Sequence, residues 1–277
     1  MSNSTRQKLP LHPENHYRPA GMCIYCGSTN KLSNEHIVPY SAGGNWLLPK
    51  ASCASCAKIT GAFEGEFSRT ILGPLRMLYE MPTRRPKERP PDLPLKVKYE
   101  EGADWEIARV DRSICPFLIL LPLYSLPSAV TGIDDGGYRA AESAEFWVRG
   151  GGFRENKDAH LQMLCEMLGA VEVMPTGTVH TEAFCLTLAK VAHAFTWAEL
   201  GKAGFSPFLC DMIRTRDVSQ RSKFIGGGAG NELPSTNLHE VGFDCDVGID
   251  ADIIVVRVRL FAILGMPTYH VAVGRRM

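Results

Sequence analysis

The sequence predicts an α+β protein, a small cysteine-stapled module followed by a mixed α+β domain, and three observations predict it. Two Cys-x2-Cys pairs, Cys23/Cys26 and Cys53/Cys56, frame a Gly43-Gly44 turn and open onto a helical stretch. Residues 82–94 then combine five prolines with four basic residues. Beyond them strand-like and helical patterns alternate and end in three strands separated by turn signals, the pattern of a C-terminal antiparallel meander.

Taken in order, residues 1–20 are polar, carry Pro10, Pro13 and Pro19, and are expected as a flexible N-terminal arm. Residues 21–81 form the cysteine module, with a short hairpin-like region and a helix from about Ser52 to Leu72. The prolines of 82–94 exclude regular structure, so this stretch reads as a basic linker. The domain at 95–277 carries strands at Leu95–Glu101, Trp105–Asp111, Ile114–Tyr124 and Val171–Met174, with helices at Lys157–Leu168 and Thr181–Leu200. The meander strands are Leu238–Asp246, Ile253–Leu264 and Thr268–Arg275. Gly226, Gly227, Gly228, Ala229 and Gly230 read as a flexible loop, and the absence of a following Lys-Ser/Thr argues against a phosphate-binding loop there.

With 277 residues and 45% hydrophobic content, the chain can bury a substantial core. The first twenty residues lack a secretory pattern. The longest apolar run, Ile114 to Tyr124, is too short to cross a bilayer and contains two prolines. The expectation is a cytoplasmic protein with no membrane role. Nine cysteines, four of them in the two pairs, point to a metal site in a reducing compartment rather than to a disulfide framework. The other five, Cys115, Cys165, Cys185, Cys210 and Cys245, read as small core hydrophobes.

A formal net charge of zero hides an asymmetry. Residues 1–91 hold 12 Lys+Arg against 6 Asp+Glu, and residues 92–277 hold 18 against 24. The positive potential therefore lies with the cysteine pairs, where it would attract phosphate. Lys50, Lys58, Arg69, Arg76, Arg84 and Arg85 are the candidate nucleic-acid contacts.

Four soft thiolates in two close pairs suit a tetrahedral zinc ion closed to substrate, hence a structural one. The 26 residues between the pairs contain Glu35-His36-Ile37-Val38-Pro39 and Gly43-Gly44-Asn45. Cys-Ile-Tyr-Cys-Gly, Glu-His-Ile-Val-Pro, Gly-Gly and Cys-Ala-Ser-Cys in this order resemble the zinc-containing branch of the HNH (ββα-metal) endonucleases, over about residues 21–70. The resemblance implies a hairpin and a helix around one catalytic Mg²⁺ or Mn²⁺, with zinc stapling them from behind. It also implies Glu35 as a ligand of that cation and His36 as general base on the attacking water.

The chain departs from the family pattern twice. The residue after the fourth cysteine, usually a metal-ligating Asn or His, is Ala57, and the usual Asn five residues before the third cysteine is Leu48. Asn45 is the candidate to orient the hairpin, and Glu64, seven residues after Ala57 on the same helical face, is the candidate replacement ligand.

In the helix at Thr181–Leu200, Lys190, His193 and Trp197 share a face, but the segment is so apolar that it reads as a core helix with a satisfied histidine. Two function classes follow. The intact Glu35-His36 pair favours the first, a metal-dependent endonuclease cutting DNA, by analogy a regulated effector in bacterial defence. The other is a catalytically degenerate zinc module that binds nucleic acid or a partner protein.

Overall fold

The computed structural model describes Leu9 and residues 14–83, 85–133, 146–154, 156–228, 232–245 and 250–277. The N-terminal sheet has the order β1-β3-β2, from β1 (Asn15–His16), β2 (Ser33–His36) and β3 (Trp46–Ser52). β2 runs antiparallel to β3 with Glu35 opposite Leu48, and β1 runs parallel to it. Between β2 and β3 the chain reverses through a 3-10 turn at Tyr40–Ala42 and the two glycines. Gly43 adopts φ 86°, and a Cβ on Gly44 would stand 2.2 Å from the Val38 carbonyl oxygen, so both positions demand glycine.

α1 (Ala54–Thr70) starts two residues after β3 and buries Cys56, Thr60, Phe63 and Phe67, a helical 4-3-4 spacing. α2 (Gly73–Leu78) follows, with Pro74 in its first turn. The stretch expected to lack regular structure instead holds a 3-10 turn at Pro86–Glu88 and the start of β4 (Asp92–Lys98). Pro94 is tolerated there because β8 pairs with β4 only from Leu95 onward.

β5 (Glu106–Asp111), β6 (Phe117–Pro122), α3 (Ser128–Thr131), β7 (Phe146–Gly151), α4 (Lys157–Leu168) and β8 (Glu172–Pro175) come next. β4 lies between β5 and β8, and Leu93, Leu95, Val97 and Val110 pack with Leu164 of α4 into a small separate core. β6 and β7 form a two-stranded ribbon.

The chain then runs through α5 (Thr181–Leu200), β9 (Phe205–Pro207), α6 (Cys210–Thr215), α7 (Arg221–Phe224) and β10 (Ile225–Gly227). It ends with β11 (Glu240–Asp244), β12 (Ile253–Arg259) and β13 (Tyr269–Arg276). Their order is β10-β13-β12-β11, with β9 also on β13, and every pairing is antiparallel. The fold is thus α+β with a C-terminal meander.

The glycine run corrects one expectation. Gly226 and Gly227 belong to buried β10, and a Cβ on Gly226 would stand 2.1 Å from the Ser125 carbonyl oxygen, so these glycines permit close backbone packing. Gly228 is described too, whereas Ala229 and Gly230 lie outside the described residues, as do 1–8, 10–13 of the expected arm and Asp246.

One apolar core joins the N-terminal module to the C-terminal sheet. α5 is its axis, with every residue from Ala183 to Thr196 buried. Phe184 packs on Phe67 of α1 at 5.9 Å between ring centroids, and Phe195 stands between Trp46 of β3 at 6.1 Å and Phe243 of β11 at 5.1 Å. α5 is therefore the buried helix its sequence predicts, and one of its faces is pressed against the module.

Candidate functional site

The first cysteine pair sits in a tight turn in which the Cys23 N–H donates to Ser28 O at 2.7 Å and the Gly27 N–H to Cys23 O at 2.8 Å. Gly27 supplies the left-handed residue of that turn, φ 76°. The Ile24 N–H donates to Ala51 O at 2.8 Å, which fixes the turn to β3. The second pair opens α1, with Cys53 as its N-cap and Cys56 in its first turn. The four Sγ atoms lie within 4.8 Å of one another, and Cys26 and Cys53 are 3.6 Å apart, a spacing that fits tetrahedral zinc. The Ser55 hydroxyl, 3.2 Å from Cys53 Sγ, pulls that thiol down to about 6, whereas burial pushes the Cys23 and Cys56 thiols up. Among the described residues this is the only group of His, Cys, Asp or Glu side chains with metal-binding spacing. The four cysteines fit a structural zinc ion.

The module holds a second cluster, one of charge. Glu35 of β2 and Glu64 of α1 both point at the Nζ of Lys190, each through an Oε1 at 2.7 Å. The same ammonium donates to the carbonyl oxygen of His36 and, at 3.4 Å, to that of Ile37. The Lys190 side chain has 0% exposure, that of Glu35 7% and that of Glu64 19%. Burial alone would drive the lysine toward its neutral form, but attraction to Glu35 and Glu64 outweighs it and its pKa is raised. Tyr25 is buried beside the same carboxylates, and burial with their charge raises its phenol well above the usual range. Glu64, the candidate replacement ligand, lies with Glu35 around a lysine.

With Lys190 in place, this arrangement does not take the Mg²⁺ or Mn²⁺ that the resemblance implies. Both carboxylates already bind a fully buried cation, Ala57 offers no ligand atom, and Leu48 packs in the core opposite Glu35. His36 is half-buried, its ring 5.5 Å from that of Tyr40. Asn45 is half-buried between the glycine turn and β3.

The expected nucleic-acid contacts divide. Lys50, Lys58 and Arg69 are exposed on β3 and α1. Arg76 is not available, since its guanidinium donates to the carbonyls of Ser41 at 2.7 Å, Ser68 at 3.3 Å and Pro82 at 3.1 Å, pinning the hairpin turn to α1 and α2. Arg85 is exposed and paired with Glu88 at 3.2 Å, and Arg84 lies outside the described residues.

α5 reaches the module at two further points. His193 Nε2 is 2.8 Å from Ile24 O in the first cysteine turn, and burial holds this imidazole down to about 4, hence neutral. At the other end of α1, Arg216 binds Glu66 and Glu182, each at 2.8 Å. The signal for Lys190 was present in the sequence, because a lysine between Leu188-Ala189 and Val191-Ala192 is buried only if something carries its charge.

A hairpin and a helix clasped by four thiolates define a small zinc module. Residues 23–71 match the family model described as HNH endonuclease, and this segment is an HNH-type zinc module. No curated protein and no solved structure matches the chain. Among the described residues no helix is long and apolar enough to cross a membrane.

Proposed function

We propose that the chain engages nucleic acid through its HNH-type module and that the module binds its target without metal-dependent hydrolysis. The observation that carries this reading is the pair of carboxylates, Glu35 and Glu64, both engaged by Lys190 where a nuclease needs them for a cation. Support for nucleic acid comes from the family match at 23–71, the 12 to 6 excess of basic residues in 1–91, and the exposed Lys50, Lys58 and Arg69. A thiolate cage calls for a reducing compartment, so a cytoplasmic location goes with this reading.

The retained Glu35-His36 dipeptide favours a second reading, a DNA-cutting endonuclease serving as a regulated effector, in which α5 must withdraw Lys190 before the cation can enter. Fluorescence anisotropy on DNA and RNA oligonucleotides across a salt series, beside plasmid incubation with Mg²⁺ or Mn²⁺, separates the two. Binding that weakens steeply with salt, needs no added divalent ion and leaves the plasmid intact is expected. Absence of binding at low salt contradicts the proposal. Metal-dependent nicking that disappears in His36→Ala establishes the endonuclease.

A further inference from the structure

We propose that the Lys190 ammonium is a built-in replacement for the second cation of the HNH-type module, occupying an oxygen cage that would otherwise take a hard divalent ion. The proposal deepens the non-hydrolysing reading above and rests on it. Four oxygen atoms from two elements and the strand end converge on Nζ: Glu35 Oε1 from β2, Glu64 Oε1 from α1, and the carbonyl oxygens of His36 and Ile37. An all-oxygen set with two carboxylates is what Mg²⁺ or Mn²⁺ selects, and it is richer than one lysine requires. The lysine comes from α5, outside the matched segment 23–71, so the cage belongs to the module and the cation is delivered by the rest of the chain. With the lysine side chain at 0% exposure, a solvent ion cannot exchange with it. Glu64, at 19%, marks the side from which an ion would enter once the lysine is gone.

Lys190→Ala therefore converts an internal salt bridge into a divalent-cation site. The test uses the full-length, zinc-loaded protein and Mn²⁺ alone, read by electron paramagnetic resonance of free Mn²⁺ and by the thermal midpoint, with no nucleic acid present. Wild type is expected to take up no Mn²⁺ and to show no shift in midpoint. Lys190→Ala is expected to bind about one Mn²⁺ per chain and to gain thermal stability with it, and Lys190→Ala combined with Glu64→Gln is expected to lose both responses. Mn²⁺ uptake by wild type that is abolished by Glu35→Gln overturns the proposal, whether or not the lysine variants fold. A folded Lys190→Ala that ignores Mn²⁺ overturns it equally. Loss of nucleic-acid binding with these Mn²⁺ results intact would count against the proposed function alone.

Discussion

The HNH-type module has two places for a positive charge, and the chain treats them in opposite ways. The cage of Cys23, Cys26, Cys53 and Cys56 is made of soft donors close enough to share one ion. The cage of Glu35, Glu64 and two carbonyls is made of hard donors, and Lys190 fills it from α5. The difference shows what each cation is for. The thiolate site suits a metal ion, because no single side chain can bridge four thiolates. The oxygen site needs only compensating charge if its task is to hold β2 against α1, and an ammonium is enough for that. Charge compensation by Lys190 also ties the module to the common core through α5.

The largest effect expected from breaking this contrast is at the zinc cage. Cys53→Ser should unfold the module and lower zinc content well below one per chain, since zinc affinity in such small units is worth about 10–16 kcal/mol and is also folding energy. Metal analysis together with circular dichroism measures this; an unchanged zinc content would contradict the cage.

At the oxygen cage, Lys190→Met should cost about 3–5 kcal/mol, because two buried carboxylates lose their partner. The triple variant Lys190→Met, Glu35→Gln, Glu64→Gln should recover most of that loss, since no buried charge remains. Chemical denaturation of both proteins checks the pair of expectations. A triple variant no more stable than the single one would show that specific ion pairing, rather than charge balance, holds β2 to α1.

A smaller effect is expected at His193, where α5 meets the zinc turn. Its pKa is about 4 in the fold against 6.5 for an unperturbed imidazole. The unfolded chain therefore binds more protons between these values, so stability is full above about pH 6.5 and declines as pH falls toward 4, by up to about 3 kcal/mol. Thermal midpoints taken from pH 7 to pH 5 at saturating zinc should fall, and His193→Gln should flatten the slope. A variant with the wild-type slope would remove His193 from the explanation.

The smallest effect on stability is expected at the surface. Lys50→Gln, Lys58→Gln and Arg69→Gln should leave the fold within about 0.5 kcal/mol of wild type. Each should reduce the salt dependence of nucleic-acid binding by about 0.9 in log-log slope if its side chain meets a phosphate. Arg76→Gln should behave in the reverse manner, destabilising the fold with no independent change in salt slope, because its donors are engaged by Ser41, Ser68 and Pro82.

What the sequence makes legible follows the same physical division. Cysteine spacing, the Gly43-Gly44 turn, the period of α1 and the alternation of β11 to β13 are local patterns, and the structure reproduces them. Glu64 could be placed on the face of Ala57 because seven residues return to the same helical face. The partner of α5 was not legible. A helix apolar on all sides announces burial without saying against what, so Lys190 read as one polar residue in a core helix. Arg76 and β10 escaped for related reasons. A guanidinium spent on backbone carbonyls has the same sequence as one facing solvent, and glycines that allow a strand to touch Ser125 look like a flexible loop.

One of the module's two cation sites is thus suited to a metal and the other is held by a lysine. Anomalous diffraction from crystals of the wild-type protein grown with Mn²⁺ tests it directly. A zinc peak is expected among Cys23, Cys26, Cys53 and Cys56, with no manganese peak near Glu35 and Glu64 and the Lys190 side chain resolved between them. A manganese peak bridging Glu35 and Glu64, with Lys190 displaced, would contradict it.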